Sequence, residues 1–592
     1  MDTNKARNFE ALYCTMCLIS IEMGGDDILV ELIRLALDIQ GPLVPYWDIV
    51  RDRVNSSCAG VEPWKIIVCS CGTTLLVLTA RDILFSDEDT LTNRTKKEFF
   101  RLVKKIPFVK RKIAEEKKKI LKDMEHTMNA DVDGYITRLP ENGLEVEALM
   151  EELKKYQSLA KVDWANGTIS GTVYGGEPEL TKLMEKVYGM FAWTNPLHAD
   201  IFPDIRKMEA EVVRMCCTMF NGDSQSCGTM TAGGTESILM ACLTYRNIAR
   251  ERGIKIPEII VPVTAHAAFD KAAAYFHLRI THIPIDEKTR RVDINAMRRA
   301  INKNTCMLMG SVPQFPHGII DDIQSISELG LKYNIPVHVD CCLGGFLYPF
   351  MEKAGYSVPV ADFRVPGVTS ISADTHKYAF APKGSSVVLY RNDDYRRMQF
   401  FVQPDWPGGI YATASVGGSR PGAIIAVCWA TLMYYGEKSY IESTRKIIST
   451  TRYIKAGLKK IPGFHVFGDP LMSVVGFGPA EGFKYNIFTF SDMIAKRGWN
   501  LNPLQFPSSI HLCVTLLHTK EGVADKFLQD ARECLEELLN SADAEAGGMA
   551  AMYGTSQSIP DRSMVAELAG CFVSSLYTTN KSEESNGTVP TN

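Results

Sequence analysis

The chain has 592 residues, 46% of them hydrophobic and 23% charged, with a formal net charge of -4 at pH 7. That length is too great for one compact domain and points to about two to four units, while the balanced, slightly acidic composition excludes a globally basic surface built for nucleic acid. The 16 cysteines are scattered, and the CxxC from Cys14 to Cys17 has neither a second pair nor a nearby His, so no metal site is expected and the thiols read as reduced and buried, as suits a cytosolic catalytic domain.

Residues 1–63 form an N-terminal segment in which Asp27 to Ile39 is amphipathic, its Glu31, Arg34 and Asp38 arguing against a bilayer span. The uncharged run Ile66 to Ala80 lies between Lys65 and Arg81, with Trp64 at one edge. It falls short of the ~17–25 residues usual for a spanning helix. Snorkelling of its flanking cations, or continuation through Ile83, Leu84 and Phe85, makes up the difference, so residues 64–85 are expected to be a single-pass anchor. A dense basic stretch follows, Lys96, Lys97, Arg101, Lys104, Lys105, Lys110, Arg111, Lys112 and Lys117 to Lys119. It reads as a juxtamembrane linker over residues 86–143 and, by the positive-inside rule, places the rest of the chain in the cytosol. The sequon at Asn55 then falls on the non-cytosolic side.

From about Leu144 onward apolar strand-like runs alternate with helical patterns, the signature of an α/β sheet. Strands are expected at Glu258–Val263, Ile280–Ile285, Met307–Val312, Ile335–Asp340, Val368–Ala373 and Ser385–Tyr390, with a helix over Ser237–Arg252. A large domain over residues 144–424 is followed by a long helical pattern from Pro421 to about Lys460. A smaller α/β domain over 425–545 closes with a helix at Gly522–Leu539. Residues 546–592 read as an extension whose Ser/Thr/Asn/Glu-rich tail, after about Tyr577, is disordered.

Four local features carry chemistry, in chain order. Thr231-Ala232-Gly233-Gly234-Thr235-Glu236-Ser237 is a small-residue turn running into a helix. It is a place where backbone N–H groups receive an anion and glycine lets a phosphate come close. It matches neither nucleotide-binding glycine motif. His266 follows the apolar run Ile259–Val263, which delivers it to the sheet edge where α/β folds bind ligands. Asp340 ends another such run, and a carboxylate there needs a cationic partner, for which a pyridinium nitrogen serves. Ser370 to Lys377 is a strand ending in a polar cluster, where apolar shielding is expected to lower the pKa of Lys377 so that its amine forms a Schiff base.

The order Gly-Gly-Thr, His, Asp, His-Lys resembles the fold-type I enzymes that use pyridoxal 5'-phosphate (PLP), in their group II decarboxylase-like branch. The stretches Asn195–Pro203, Thr231–Ser237, Pro313–Gly318, Ser370–Ser386 and Gly418–Gly422 are most similar to the sphingosine-1-phosphate lyase family, as is an apolar anchor ahead of a basic stretch. The resemblance implies that Lys377 carries PLP, Asp340 pairs with the pyridinium nitrogen, and His266 stacks on the ring. It implies further that Gly234 and Thr235 hold the cofactor phosphate, with His376 and with Ser419 of a partner subunit. Tyr174, His198 and Lys383 resemble the positions that handle the substrate phosphate and assist catalysis. Cys341 and Ala379 depart from the family pattern, where Ala and Gly are usual.

The implied reaction is cleavage of the C2–C3 bond of a phosphorylated sphingoid base to a long-chain aldehyde and phosphoethanolamine, by a homodimer held by this anchor in the endoplasmic reticulum membrane with its catalytic domain facing the cytosol. The base is left open among Lys377, His198 and Tyr174. An amino-acid decarboxylase of the same branch is the alternative, and it accounts for neither the anchor nor Lys383. A membrane-bound scaffold with a dead enzyme fold would not need Gly234, His266, Asp340 and Lys377 together.

Overall fold

The computed structural model describes residues 135–160, 162–540 and 562–579, with a few positions between 107 and 115. The amphipathic stretch 27–39, the sequon, the anchor 64–85, most of the basic linker and the tail beyond 579 lie outside the described residues. Among the described residues no helix is long and apolar enough to cross a membrane.

The first 75 or so described residues are helical rather than alternating, contrary to the expectation for the stretch after Leu144. Helices Val146–Ser158, Pro178–Phe191 and Pro203–Met219 come first. The last two begin on proline, which costs nothing at a first helical position because the N–H it lacks has no intrahelical partner there. Alternation starts at β1 (Cys227–Thr231) and continues through β2 (Glu258–Pro262), β3 (Arg279–Ile283), β4 (Thr305–Ser311), β5 (Val337–Asp340), β6 (Val368–Ala373) and β7 (Ser386–Tyr390). The six expected strands therefore form, each within two residues of its expected limits.

These seven strands make one sheet in the order β1-β7-β6-β5-β4-β2-β3. The β6–β5, β5–β4, β4–β2 and β2–β3 pairings are parallel, whereas β7 runs antiparallel to both β6 and β1. Reversal of β7 alone leaves β1 pointing the same way as β6, so the carboxyl ends of β1, β2, β5 and β6 meet at one edge. β4, β5 and β6 are buried at every residue, their polar residues included, as strands covered on both faces are. Alternate residues still part company, as a pleat requires. Ile260, Leu308, Val387 and Leu389 pack into one core, while Ile259, Val261, Met307, Met309, Val388 and Tyr390 pack into another beneath helices Gly234–Glu251 and Ala268–Phe276.

Helix Gly422–Lys459 leads out of this domain and is interrupted at Gly436, whose φ of 60° and ψ of 172° no helix contains. Beyond it a four-stranded antiparallel sheet forms, β10 (Phe464–Val466), β11 (Val474–Pro479), β13 (Ser509–Cys513) and β12 (Asn502–Leu504) in that order. A short ribbon of β8 (Phe401–Gln403) and β9 (Tyr411–Thr413) precedes the long helix. The small domain touches the large one through β13. Cys513 meets the Tyr378 hydroxyl at 3.4 Å, and the same hydroxyl donates to the Val514 carbonyl at 2.7 Å.

Candidate active site

β1 ends at Thr231, and the chain turns through an extended Gly233 into the helix beginning at Gly234, whose first turn no side chain caps among the described residues. Its leading N–H groups are left for whatever lies beside them. The turn is tied down from below by a run of hydroxyls. Thr231 Oγ1 meets Ser237 Oγ at 2.7 Å, Ser237 Oγ meets Ser386 Oγ at 2.9 Å, and Ser386 donates to the Ala373 carbonyl at the end of β6. From above, Glu236 accepts the Ala232 N–H at 2.6 Å and the Val416 N–H at 3.0 Å, joining the turn to the loop that carries Ser419.

A cavity of about 750 Å³ opens at this edge, lined among others by Gly234, Thr235, His266, His376, Lys377 and Ser419. Six of the expected residues are therefore brought together. Asp340 lies just behind the lining: it accepts from the Cys342 N–H at 3.0 Å and the Ser372 hydroxyl at 3.2 Å, and Cys342 itself faces the cavity. Tyr174 and Lys383 form a pair of their own, with Lys383 Nζ 5.1 Å from the Tyr174 ring centroid. His198 stands apart. It is exposed, and among the described residues its side chain makes no polar contact with the cavity, although Asn195 close by donates to Ser419 Oγ at 3.0 Å.

Lys377 departs from expectation. Its amine lies 2.8 Å from Asp374 Oδ2. Burial is the largest single influence and lowers its pKa, as expected from its neighbours, but the opposing neighbours, Asp374 foremost, together carry the net shift upward. Asp374 is held below the usual carboxylate range: burial pushes it up, and Lys377 followed by His376 pulls it further down. Sequence reasoning had Asp374 only as one polar residue of a cluster. The signal was its position three residues ahead of Lys377 in a strand-end turn. Burial and the nearby Lys377 charge lower the pKa of Lys383, while burial raises that of Tyr174. The two departures from the family pattern are packed without strain, the Cys341 thiol donating to the Val312 carbonyl at 3.2 Å and Ala379 accepting from the Tyr440 hydroxyl at 2.9 Å. Among the described residues no group of side chains is arranged to hold a metal ion.

An open helix end suited to a phosphate dianion and a lysine amine suited to an aldehyde match the two ends of one small molecule, pyridoxal 5'-phosphate. The uncapped turn at Gly234 and Thr235, with Lys377 across the same cavity, fits that cofactor. On a sheet of this order with one reversed strand, they define a PLP-dependent enzyme of fold type I. The family model described as the pyridoxal-dependent decarboxylase conserved domain matches residues 111–479. The sphingosine-1-phosphate lyase 1 of Rattus norvegicus is 50% identical, covering 92% of this chain and 96% of its own. The Drosophila melanogaster sphingosine-1-phosphate lyase is 48% identical, over 90% and 97%. Among solved structures, a Burkholderia pseudomallei sphingosine-1-phosphate lyase superposes with a TM-score of 0.68 at 37% identity, covering 75% of this chain and 98% of that one. The chain belongs to the sphingosine-1-phosphate lyase family, and its cofactor is PLP. A separate model, described as the EFR3 armadillo repeat, matches residues 1–59.

Proposed function

We propose that the chain cleaves the C2–C3 bond of phosphorylated sphingoid bases such as sphingosine 1-phosphate, releasing a long-chain aldehyde and phosphoethanolamine. The observation that carries this reading over an amino-acid decarboxylase is Lys383, a second cation close to Lys377 that the cofactor does not need. When bound, PLP supplies an electron sink for the pair released as the carbon–carbon bond breaks. The rest falls to the chain. Gly234, Thr235 and His376 would hold the cofactor phosphate, Lys377 would bond its aldehyde carbon, and Asp340, fixed by Cys342 and Ser372, would supply the negative charge for its ring nitrogen. Lys383 takes the substrate phosphate as a point charge. Tyr174 keeps its proton because burial raises its pKa, and so serves as a hydrogen-bond donor at the reacting end. Release of long-chain aldehyde from phosphorylated but not unphosphorylated sphingoid base tests the reading, and carbon dioxide release from amino acids without aldehyde would overturn it.

The same reading has the enzyme as a homodimer anchored in the endoplasmic reticulum membrane by residues 64–85, with its catalytic domain in the cytosol. The dimer is supported by apolar surface beside His198 and the Ser419 loop, where Trp193 is 94% exposed. The anchor is supported by the uncharged run and the basic stretch behind it, and by the substrate, whose chain the bilayer holds at about 0.8 kcal/mol per CH₂. Protease added to intact microsomes should digest the catalytic domain, and alkaline carbonate should leave the chain in the pellet. Protection of that domain, or its release, would count against this placement.

A further inference from the structure

Asp374 is the hub of the cavity floor. Its Oδ2 lies 2.8 Å from Lys377 Nζ and 3.6 Å from His376 Nε2, while its Oδ1 is buried with no hydrogen-bond partner among the described residues. The absence of a side chain at Gly234 makes room for it: a Cβ there would fall 2.7 Å from both Asp374 oxygens. His376 Nδ1 donates to the Ser385 carbonyl at 2.6 Å, which leaves Nε2 directed at the carboxylate. A carboxylate enclosed this way requires a cation, and Lys377 is the nearest.

We infer that Asp374 is a positioning residue that docks the Lys377 ammonium whenever that amine is free, both before the cofactor is captured and while substrate occupies the cofactor's aldehyde carbon. The second half of this inference rests on the PLP-lyase reading; the first does not. To bond that carbon, Lys377 must give up a proton, form the C=N bond and expel the aldehyde oxygen as water. A docked ammonium has no lone pair with which to begin. Asp374 therefore keeps the free lysine from competing with the substrate amine. The other titratable groups facing Lys377 include Tyr174, Cys341, Cys342, Cys513 and the cation of Lys383, none of which supplies a resting negative charge, since burial raises the pKa of the tyrosine and the three thiols.

The test is the pH dependence of cofactor capture by the full-length, cofactor-free enzyme, followed by absorbance on mixing with PLP and, separately, with unphosphorylated pyridoxal. In the native protein the rate should climb about tenfold per pH unit without a plateau up to about pH 9.5, because the docked amine stays protonated. In Asp374→Asn burial and the Lys383 cation act on Lys377 with no carboxylate to oppose them, so the plateau should move to lower pH and capture near pH 7 should be at least ~10-fold faster. Identical pH profiles in the two proteins would overturn the inference, as would a native plateau below about pH 8. The native profile decides by itself should the variant fail to fold. Aldehyde release from phosphorylated substrate is scored independently, so failure of the lyase reading is seen separately.

Discussion

Lys383 holds its ammonium 5.1 Å from the centroid of the Tyr174 ring, and the two residues come from opposite ends of the large domain. Tyr174 stacks edge-on against Tyr378, one residue after Lys377, at 4.8 Å between centroids. A positive charge is thereby fixed near the cofactor lysine by an aromatic face rather than by a carboxylate, and it stays free to meet an anion. Lys383→Ala should keep bound PLP, since no cofactor-holding group loses a partner. The specificity constant for phosphorylated substrate should fall roughly ten- to a hundredfold, the equivalent of a charge-assisted contact of ~1.5–3 kcal/mol. Loss of the cofactor spectrum in this variant, or an unchanged preference for the phosphorylated base, would assign Lys383 to another task.

Lys377→Ala should abolish both the covalent cofactor absorbance and activity, and it also makes a prediction about stability. In the native protein Asp374 has a depressed pKa, so its contribution is present above the unfolded value of about 3.9 and is lost as pH falls through the folded one. Lys377 has a raised pKa, so its contribution is present below about 10.4 and is lost as pH rises through the folded value. Removing the lysine leaves a buried carboxylate with only His376 nearby, at a cost of no more than roughly 3–5 kcal/mol. The melting temperatures of cofactor-free native and variant proteins should differ most near neutral pH and converge only below about pH 3.9, as pH falls through the depressed folded pKa of Asp374. A gap independent of pH would mean that the loss is one of packing.

Gly234 is required on steric grounds. An alanine Cβ there would also fall 2.9 Å from Cys342 Sγ, and Asp374 cannot retreat without leaving Lys377. Gly234→Ala should therefore weaken PLP binding at least ~10-fold, as a displaced carboxylate is pushed toward the phosphate turn. Equilibrium titration of the cofactor-free protein reads this directly. Thr235→Ala, which keeps the backbone donors, should weaken binding less, and the reverse order would place the phosphate elsewhere.

How much of this was legible in the sequence depended on what each residue's neighbours in the chain could reveal. β4, β5 and β6 are buried on both faces, and the apolar residues Met307 to Met309, Val337, Val339, Val368 and Ile371 marked closely where they run. β1 was not foreseen, because Cys227-Gly228-Thr229-Met230-Thr231 has no β-branched apolar residue and owes its strand to pairing with β7. β10 and β12 are three residues each, and β12 contains Pro503, so they have too little pattern to detect. At the site, Gly234, His266 and Lys377 stood out by their place at strand ends. The proton state of Lys377 did not, since it depends on a carboxylate whose direction is set by the turn and by the empty space over Gly234. His198 carries a role by resemblance that no contact within the single chain supports.

That last point leads to the subunit arrangement. Helix Val146–Ser158 has no buried residue, yet Leu149, Met150, Leu153 and Tyr156 repeat at helical spacing and are each 45–51% exposed. An apolar stripe of this kind lacks its partner among the described residues. If a second copy covers it, the double variant Leu149→Glu with Leu153→Glu should shift the protein from dimer to monomer in light scattering, leaving its secondary structure unchanged. Because Ser419 lines the cavity within its own chain while His198 does not reach it, the monomer should still bind PLP but turn over substrate poorly. A variant that remains dimeric would place the interface elsewhere, and a monomer of full activity would show that each chain supplies its whole site.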